Sequence, residues 1–397
     1  MERELKKAAG DVSHSLERLR TSATAKLVSR TLRARQKARA ETVVDLERPD
    51  ALTVVLCGTG SPIPSKRAQA CTAIFVGGQF LVFDVGNGAA RTMEALNIPV
   101  GHLNAIFLTH FHSDHIADLG ETIDRSWVNG RREHLSIFGP EGTSDIVRGC
   151  LDAYSREFGY RTAHHGVEMM PPDFAGATAM EFRAPSGDET VVVYEEHGIV
   201  VKAFKANHPP VVPAVSYRIE YAGKVVVVTG DTTATAALTE QSREADLLVS
   251  EVMNMDLVHE IEAASRAAGN EFNARILHDI RSYHMDARDL GQLAREAGVK
   301  KLALTHLIPP LDHHVQATTY FKCPIEEMYH GEIVLGKDGT RIVVPLQYVL
   351  ERNHSTLEVA RRSGRGVIYL YIVSLYALHS TAGPDLSDEV RESGPAV

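Results

Sequence analysis

The sequence predicts a layered α/β fold in which helices cover two mixed sheets. With 397 residues, the chain exceeds an average domain of roughly 100–200 residues, although one large α/β domain with added ends would account for it. Short Val-, Ile-, Leu- and Phe-rich runs alternate with helical stretches from residue 50 to 345, and some neighbouring runs are spaced as hairpins. The eleven predicted strands are Leu52–Cys57, Ile74–Val76, Phe80–Phe83, Ala105–Thr109, Leu135–Phe138, Ile199–Ala203, Ser216–Glu220, Lys224–Val228, Leu247–Ser250, Lys301–Thr305 and Arg341–Val344.

The composition excludes several protein classes. Hydrophobic residues make up 44% of the chain and charged residues 23%, which excludes disordered and fibrous proteins. The four cysteines are far apart and form no CxxC pair, so neither a disulfide framework nor a cysteine zinc site is indicated. We therefore predict a cytoplasmic protein. The 19 histidines, about twice the usual number, direct attention to metal-ligand spacing.

Residues 1–49 are predicted to form a basic, amphipathic helical arm. Residues 1–40 hold eleven Lys and Arg against four acidic residues, a net charge of +7, so the remaining 357 residues carry −16. We expect the arm to pack on its own domain, with a membrane surface or a partner helix as alternatives. The acidic body disfavours nucleic acid as a partner, although the arm could supply positive charge. The apolar residues at helical spacing are Val12, Leu16, Leu19, Ala23 and Leu27.

Residues 346–397 are predicted to be a C-terminal extension of the main domain, residues 50–345. The extension contains Val367–Leu378, a dozen apolar residues, which is short of the roughly 20 needed to cross a bilayer. We expect no integral membrane span here, but a strand or helix docked on the main domain, with an interfacial or dimer role as the alternative. The expected assembly is a homodimer.

A cluster of ligand-type side chains follows the predicted strand that ends near Thr109. His110, His112, Asp114 and His115 fall within one turn, and neutral imidazole and carboxylate groups suit Zn²⁺. His110 and His112 can reach one ion, while Asp114 and His115, displaced by the turn, can reach a second. The spacing therefore predicts two metal ions that need further ligands.

Three more ligand-type residues are expected just after strands. His208, Asp231 and His306 each follow a predicted strand, which can bring them to the same sheet edge. Any one of them alone is more typical of a structural residue than of a metal ligand. In combination with the cluster above, the three favour a metal role.

Because of these residues, the sequence resembles the metallo-β-lactamase superfamily, whose signature HxHxDH appears at residues 110–115. The resemblance covers roughly residues 52–345 and implies an αββα four-layer sandwich with a di-zinc site at the edge of its two sheets. Manganese or iron can share such ligands. The resemblance also implies the ligand sets: His110, His112 and His208 for one ion, Asp114, His115 and His306 for the other, and Asp231 as the bridge. The segments that carry the resemblance besides the signature are Gly58–Pro62, Phe83–Gly86, Gly230–Thr232 and Leu304–His306.

Within the superfamily the chain most resembles the ribonuclease Z and arylsulfatase-like branch. Glu251 follows Asp231 by twenty residues and His284 precedes His306 by 22. In that branch the corresponding acid and histidine form a catalytic pair. The resemblance therefore implies that His284 protonates the leaving oxygen or stabilises the developing negative charge, and that Glu251 holds its other nitrogen. Taken alone, Glu251 and His284 are each more typical of a helix start.

The expected reaction is hydrolysis of a small phosphodiester, sulfate or related ester. Two zinc ions would lower the pKa of a bridging water towards about 7 and provide a hydroxide nucleophile, which Asp114 can orient. The chain shows no long Gly/Pro-rich arm of the kind that grips tRNA, and Pro171–Val193, the natural place for one, is short and acidic. Processing of tRNA 3′ ends is the alternative activity. A non-catalytic binding protein or a flavodiiron-type redox enzyme could share the same fold, although the redox enzyme needs a carboxylate where His112 stands.

Overall fold

The computed structural model describes residues 24–34, 36–311, 314–346, 348–353, 356–363 and 366–374. The chain divides into two compact units, Met1–Leu346 and Gln347–Val397. Residues 24–34 and 36–46 are helical. The α-helices that follow are α1 (Ala89–Ala95), α2 (Ser113–Ile116), α3 (Leu119–Val128), α4 (Thr143–His165), α5 (Ala236–Gln241), α6 (Met255–Ala267), α7 (Glu271–Asp279), α8 (Ala287–Glu296), α9 (His314–Ala317) and α10 (Cys323–Glu326). Shorter turns are Val100–His102, Pro172–Phe174, Ile280–Ser282 and Thr318–Lys322.

Two seven-stranded mixed sheets form the centre of the first unit. The first has the order β14-β1-β2-β3-β4-β5-β6 and the second the order β13-β12-β11-β10-β9-β8-β7. The strands of the first sheet are β1 (Ala51–Gly58), β2 (Cys71–Val76), β3 (Gln79–Phe83), β4 (Leu103–Phe107), β5 (Leu135–Pro140), β6 (Ala177–Phe182) and β14 (Thr340–Pro345). Those of the second are β7 (Thr190–Glu196), β8 (Ile199–Lys205), β9 (Val215–Tyr221), β10 (Lys224–Val228), β11 (Leu247–Met253), β12 (Lys301–Ile308) and β13 (Glu332–Leu335).

Alternating side chains give each sheet two apolar faces. In β1, Leu52, Val54 and Leu56 pack between the two sheets, while Val55 and Cys57 point to the opposite face and pack under helices. The second sheet is covered on its outer face in the same way, by α8 among others. Fully burying one Leu or Val contributes roughly 1.5–3 kcal/mol, so these layers stabilise the sandwich that holds the strand ends together.

All eleven predicted strands are present, and their ends differ from the prediction by at most three residues. The sequence does not predict β6, β7 and β13. In Pro171–Val193, the segment judged too short and acidic for a tRNA-gripping arm, the structure has β6 and the start of β7 at the outer edges of the two sheets. Edge strands are half exposed and tolerate charged residues, and β13 has only four residues, so their patterns are weak.

The N-terminal helix is exposed along most of its described length. Leu27 and Leu32 are 65% and 54% exposed, whereas Leu46 is buried among the residues of the first sheet and its helices. Glu47 Oε1 lies 2.6 Å from His102 Nδ1. Within the described residues, the expected packing on the domain therefore holds only at the C-terminal end of this helix. Val12, Leu16, Leu19 and Ala23 lie outside the described residues.

The second unit contains a three-stranded antiparallel sheet with the order β15 (Tyr348–Asn353), β16 (Thr356–Ser363) and β17 (Gly366–Ser374). The apolar segment predicted as a strand or helix is therefore a strand up to Ser374, and residues 375–378 lie outside the described part. Among the described residues, no helix is long and apolar enough to span a bilayer.

Candidate metal centre and active site

The HxHxDH residues lie in the loop after β4 and in the short helix α2 that follows it. His112 precedes the first turn of α2, which contains Asp114 and His115. Asp84, at the end of β3, organises this loop: its carboxylate accepts hydrogen bonds from the backbone N–H of Thr109 at 2.8 Å and from the Thr109 hydroxyl at 2.7 Å. The same carboxylate lies 2.8 Å from Nδ1 of His115.

The second sheet brings the three distant residues to the same site. His208 and Asp231 follow β8 and β10, as predicted. His306 does not follow its strand but lies inside β12, where the register with β11 shifts so that Glu251 pairs with Thr305 and Val252 with Leu307. This bulge gives His306 a φ of 44°, which turns its side chain out of the regular alternation.

Four ligand-type side chains form a first cluster, called group A here: His110, His112, His208 and Asp231. His112 Nδ1 lies 3.0 Å from Nε2 of His110 and 3.3 Å from Nε2 of His208. Oδ2 of Asp231 lies 3.9 Å from each of these Nε2 atoms. Only His112 is exposed, so group A opens to solvent on the side of His112.

The second cluster, group B, contains Asp114, His115, His306 and again Asp231, all buried. His306 Nε2 lies 3.1 Å from Asp114 Oδ2 and 3.5 Å from Asp231 Oδ1. His115 Nε2 lies 3.5 Å from Asp114 Oδ2 and 3.3 Å from Asp231 Oδ1. Asp231 therefore directs one carboxylate oxygen to each group, and all seven residues singled out in the sequence come together.

The spacing of these atoms suits metal ions. Zinc bound tetrahedrally at about 2.0–2.1 Å holds its ligand atoms roughly 3.3 Å apart, and the separations above range around this value. Nε2 of His115 and Oδ1 of Asp231 are buried and make no hydrogen bond. Buried polar atoms are rarely left without a partner, and a metal ion between them would satisfy both. The residues present therefore fit divalent metal ions.

Glu251 and His284 form a hydrogen-bonded pair beside group B. His284 Nδ1 lies 2.7 Å from Glu251 Oε2, and Glu251 Oε1 accepts the backbone N–H of Thr232 at 2.6 Å. Glu251 lies within β11, so the interpretation of this residue as a helix start is wrong. His284 precedes α8 by three residues, and Asp286 caps that helix instead. The ring of His284 lies 5.2 Å from that of His208 and 5.5 Å from that of His306, which places it at the metal-ligand cluster.

The two groups differ in their electrostatics. In group A, burial lowers the pKa of His110 well below its ordinary value and also lowers that of His208. In group B, burial acts in the same direction, but Asp231 and Asp114 outweigh it and raise the pKa of His306 to about 9. Burial of His115 is likewise outweighed, by Asp231, Asp84 and Asp114, so its pKa is raised well above the ordinary range.

Two supporting residues are not evident from the sequence. Asp84 stands in the Phe83–Gly86 turn that carries part of the resemblance, but the pattern does not reveal that its carboxylate holds His115. Tyr283 contributes its backbone carbonyl, which lies 2.9 Å from Nδ1 of His208, and its ring contacts those of His208 and His284. Since every residue type has a backbone carbonyl, the sequence cannot indicate the contact between the Tyr283 carbonyl and His208.

Comparison with known proteins agrees with this geometry. The family model described as "Metallo-beta-lactamase superfamily" matches residues 65–306. The chain belongs to the metallo-beta-lactamase superfamily. The predicted fold class is confirmed, and the chain is a metal-dependent hydrolase that acts on ester bonds.

Relatives of this superfamily member include ribonuclease Z proteins. It is 34% identical over 302 residues to the ribonuclease Z of Mycobacterium sp. (strain KMS), a match that covers 74% of this chain and 96% of the relative. It is 32% identical over 297 residues to the ribonuclease Z of Mycobacterium bovis (strain BCG / Pasteur 1173P2), covering 74% and 98% of the two chains.

Solved structures of the superfamily share the fold of this chain. A metallo-beta-lactamase fold protein from Bacillus subtilis has a TM-score of 0.53 at 21% identity and covers 74% of this chain and 100% of its own. The short form of human tRNase Z has a TM-score of 0.51 at 20% identity, with 74% and 99% covered.

Proposed function

We propose that this chain is a ribonuclease Z-type endonuclease that uses two zinc ions to hydrolyse a phosphodiester at the 3′ end of tRNA precursors. The observation that carries the proposal is the Glu251–His284 pair, which stands beside the metal-ligand groups at the distance of a good hydrogen bond. The similarity to ribonuclease Z proteins along nearly their whole length supports the same activity. From the sequence alone, a small ester is the expected substrate and tRNA 3′-end processing the alternative. The proposed function reverses that ranking.

The metal ions have defined candidate ligands. His110, His112 and His208 would hold one ion, Asp114, His115 and His306 the other, and Asp231 would offer one oxygen to each. When bound, two zinc ions supply Lewis-acid polarisation of the phosphate and an activated water near neutral pH. Asp84 and the carbonyl of Tyr283 orient His115 and His208 by accepting their second ring N–H, which fixes the tautomer that leaves Nε2 free.

The reaction also needs a group that donates a proton to the leaving oxygen. Glu251 accepts the Nδ1 proton of His284 and so leaves Nε2 as the ring nitrogen that can exchange a proton with the substrate. The backbone N–H of Thr232 holds the other oxygen of Glu251, so the carboxylate cannot rotate away. We assign to His284 the donation of the Nε2 proton to the leaving oxygen. Asp114, buried between His115 and His306, orients the attacking water.

Hydrolysis of a small phosphodiester or sulfate is the second candidate. The observation that favours it is the charge of −16 on the chain outside residues 1–40, which repels a polyanion. The two candidates differ in the size of the substrate and not in the metal chemistry.

A substrate comparison tests the proposal. Zinc-loaded protein is given a precursor tRNA with a 3′ trailer, bis(p-nitrophenyl) phosphate and p-nitrophenyl sulfate, and kcat/KM is compared while the RNA cleavage position is mapped. We expect a single cut at the tRNA 3′ end with kcat/KM at least about 100-fold above that for either small ester. Asp231→Ala protein serves as the control for contaminating nucleases. Uncleaved RNA together with efficient turnover of a small ester would establish the second candidate instead.

A further inference from the structure

One face of the N-terminal helix carries exposed basic side chains. Lys26, Arg30 and Arg33 follow each other by four and three residues, a spacing that puts them on the same side of a helix. All three are exposed, and no acidic residue lies between them. Lys37 continues the spacing but pairs with Glu41 at 3.6 Å. We call Lys26, Arg30 and Arg33 the basic stripe.

The helix that carries the basic stripe is anchored far from the metal-ligand groups. Strand β1 runs from Ala51 to Gly58, and seven steps of a strand span about 23 Å. The C-terminal end of β1 reaches the site, since the carbonyl of Thr59 accepts the backbone N–H of Leu307 next to His306 at 3.1 Å. The helix ends before the opposite end of β1, where Glu47 contacts His102.

The C-terminal end of the helix is therefore separated from the metal centre by about the length of β1. A small ester or a dinucleotide bound at the metal centre is far shorter than β1, whereas a folded RNA is much longer. Resting on the proposed function, we propose that the basic stripe binds the phosphate backbone of the RNA substrate outside the metal centre. Charge complementarity supports this: the stripe precedes a body of charge −16, so it is the natural contact for a polyanion.

The opposite face of the helix favours RNA over a membrane surface. Val28 and Leu32 are exposed there, but Arg39 shares their face at helical spacing and hydrogen bonds to Asn129 at 3.4 Å. A helix that lies in a bilayer interface needs an uninterrupted apolar face, which Arg39 breaks. Cations on a helix whose apolar face is interrupted are suited to a phosphate backbone.

The test removes the three charges of the basic stripe without removing the helix. The variant K26Q/R30Q/R33Q keeps residues of similar helix propensity. The matched control, R148Q/R243Q/R295Q, removes two arginines from other helices and one from the turn after α5, and these side chains are 67%, 57% and 55% exposed. For the full-length, zinc-loaded proteins, Kd for a precursor tRNA is measured at about 50 to 200 mM salt. Hydrolysis of bis(p-nitrophenyl) phosphate and binding to phosphatidylserine vesicles are measured alongside.

We expect the stripe variant to bind precursor tRNA at least about tenfold more weakly, with a log–log salt slope smaller by roughly 2 to 3. Small-ester hydrolysis stays at the wild-type level, and the control variant behaves as wild type. Equal tRNA affinity in the stripe variant and the control overturns the inference. Loss of vesicle binding with unchanged tRNA affinity overturns it as well and assigns the stripe to a membrane.

The failure of this inference and that of the proposed function give different results. If precursor tRNA is not cleaved but the stripe variant still loses affinity for it, the proposed activity fails and the RNA-binding surface stands. If precursor tRNA is cleaved equally well by the stripe variant and by wild type, with unchanged KM, the surface fails and the activity stands.

Discussion

Groups A and B share Asp231 and the same sheet edge, yet they differ in charge. Group A has three imidazoles and a single carboxylate oxygen, and burial keeps the pKa of its histidines low. Group B has two imidazoles between Asp114 and Asp231, with Asp84 behind one of them, so the pKa values of its histidines are raised. In the metal-free protein at pH 7, protons on His115 and His306 therefore balance the buried carboxylates. Group A is ready to bind a cation, whereas group B must first release protons.

Loss of Asp231, the residue that both groups share, should abolish metal binding at both groups. Asp231→Ala removes one oxygen from each group, and we expect well under one bound zinc per chain and at least about a 10⁴-fold fall in kcat. His112→Ala removes a ligand from group A alone, so one zinc should remain. Elemental analysis after dialysis measures both. Asp124→Asn, another buried carboxylate outside the two groups, is the control for folding. Retention of two zinc ions by the Asp231 variant would exclude the bridging role.

The ring of His284 lies near His208 of group A and His306 of group B. We assign His284 to proton transfer and not to metal binding, so its loss should leave the metal content unchanged. For His284→Ala we expect a loss of roughly 10²–10⁴-fold in kcat on diesters with a basic leaving oxygen, because only these need a proton donor. Activated p-nitrophenyl esters should be affected far less. Glu251→Gln keeps the shape of the partner but not its charge, and should show the same selective loss to a smaller extent. Equal losses on both kinds of ester would assign His284 to substrate binding.

Asp84 contacts His115 of group B directly and reaches His110 of group A only through the Thr109 hydroxyl, so its replacement should weaken group B more than group A. Asp84→Asn cannot accept the Nδ1 proton of His115 with its amide nitrogen, so we expect zinc affinity at group B to fall about 10- to 100-fold. The zinc affinity of group A should fall less. Competition with a zinc chelator resolves the two binding steps. Asp118→Asn, whose carboxylate accepts the backbone N–H of Ala90, is the matched control. A parallel loss at both steps would show that Asp84 acts through the whole loop.

The smallest expected effect is a difference in pH dependence. The pKa of His306 is raised to about 9 from an ordinary 6.5, so its protonated form stabilises the metal-free fold below pH 6.5 and this contribution is lost as pH rises through 9. Between pH 7 and 9, zinc affinity at group B should therefore rise by up to about tenfold per unit for each proton released.

Group A provides the comparison for that measurement. Its histidines have lowered pKa values, so its zinc affinity should change little above pH 7. Asp114→Ala protein, in which group B is disabled, isolates the group A step. Calorimetry in two buffers of different ionisation enthalpy counts the protons directly. Zinc binding to wild-type protein without proton release at pH 7.5 would contradict the charge difference between the groups.

The sequence alone determined the central strands and the ligand-type residues of the site. Residues 110–115 are close in the chain, so their local spacing already places four of them in one turn. Strand β10, with its consecutive valines, and strand β11, rich in Leu and Val, are largely buried and are therefore recognisable as apolar runs. The resemblance to the superfamily, carried by these motifs, supplied the distant partners.

Tertiary structure decided how these residues meet. The bulge in β12 that turns His306 towards Asp114 arises from pairing with β11. The presence of a histidine at position 306 does not by itself predict a bulge. The contact of Asp84 with His115 joins residues that follow two neighbouring strands of the first sheet, and the division of Asp231 between the two groups brings together residues from both sheets. Edge strands β6 and β7 each pair with a neighbour on one side only, and about half of their residues are exposed, so burial gives them a weaker pattern than the central strands have. Interactions between residues far apart in the chain depend on three-dimensional packing, which local spacing and residue type do not contain.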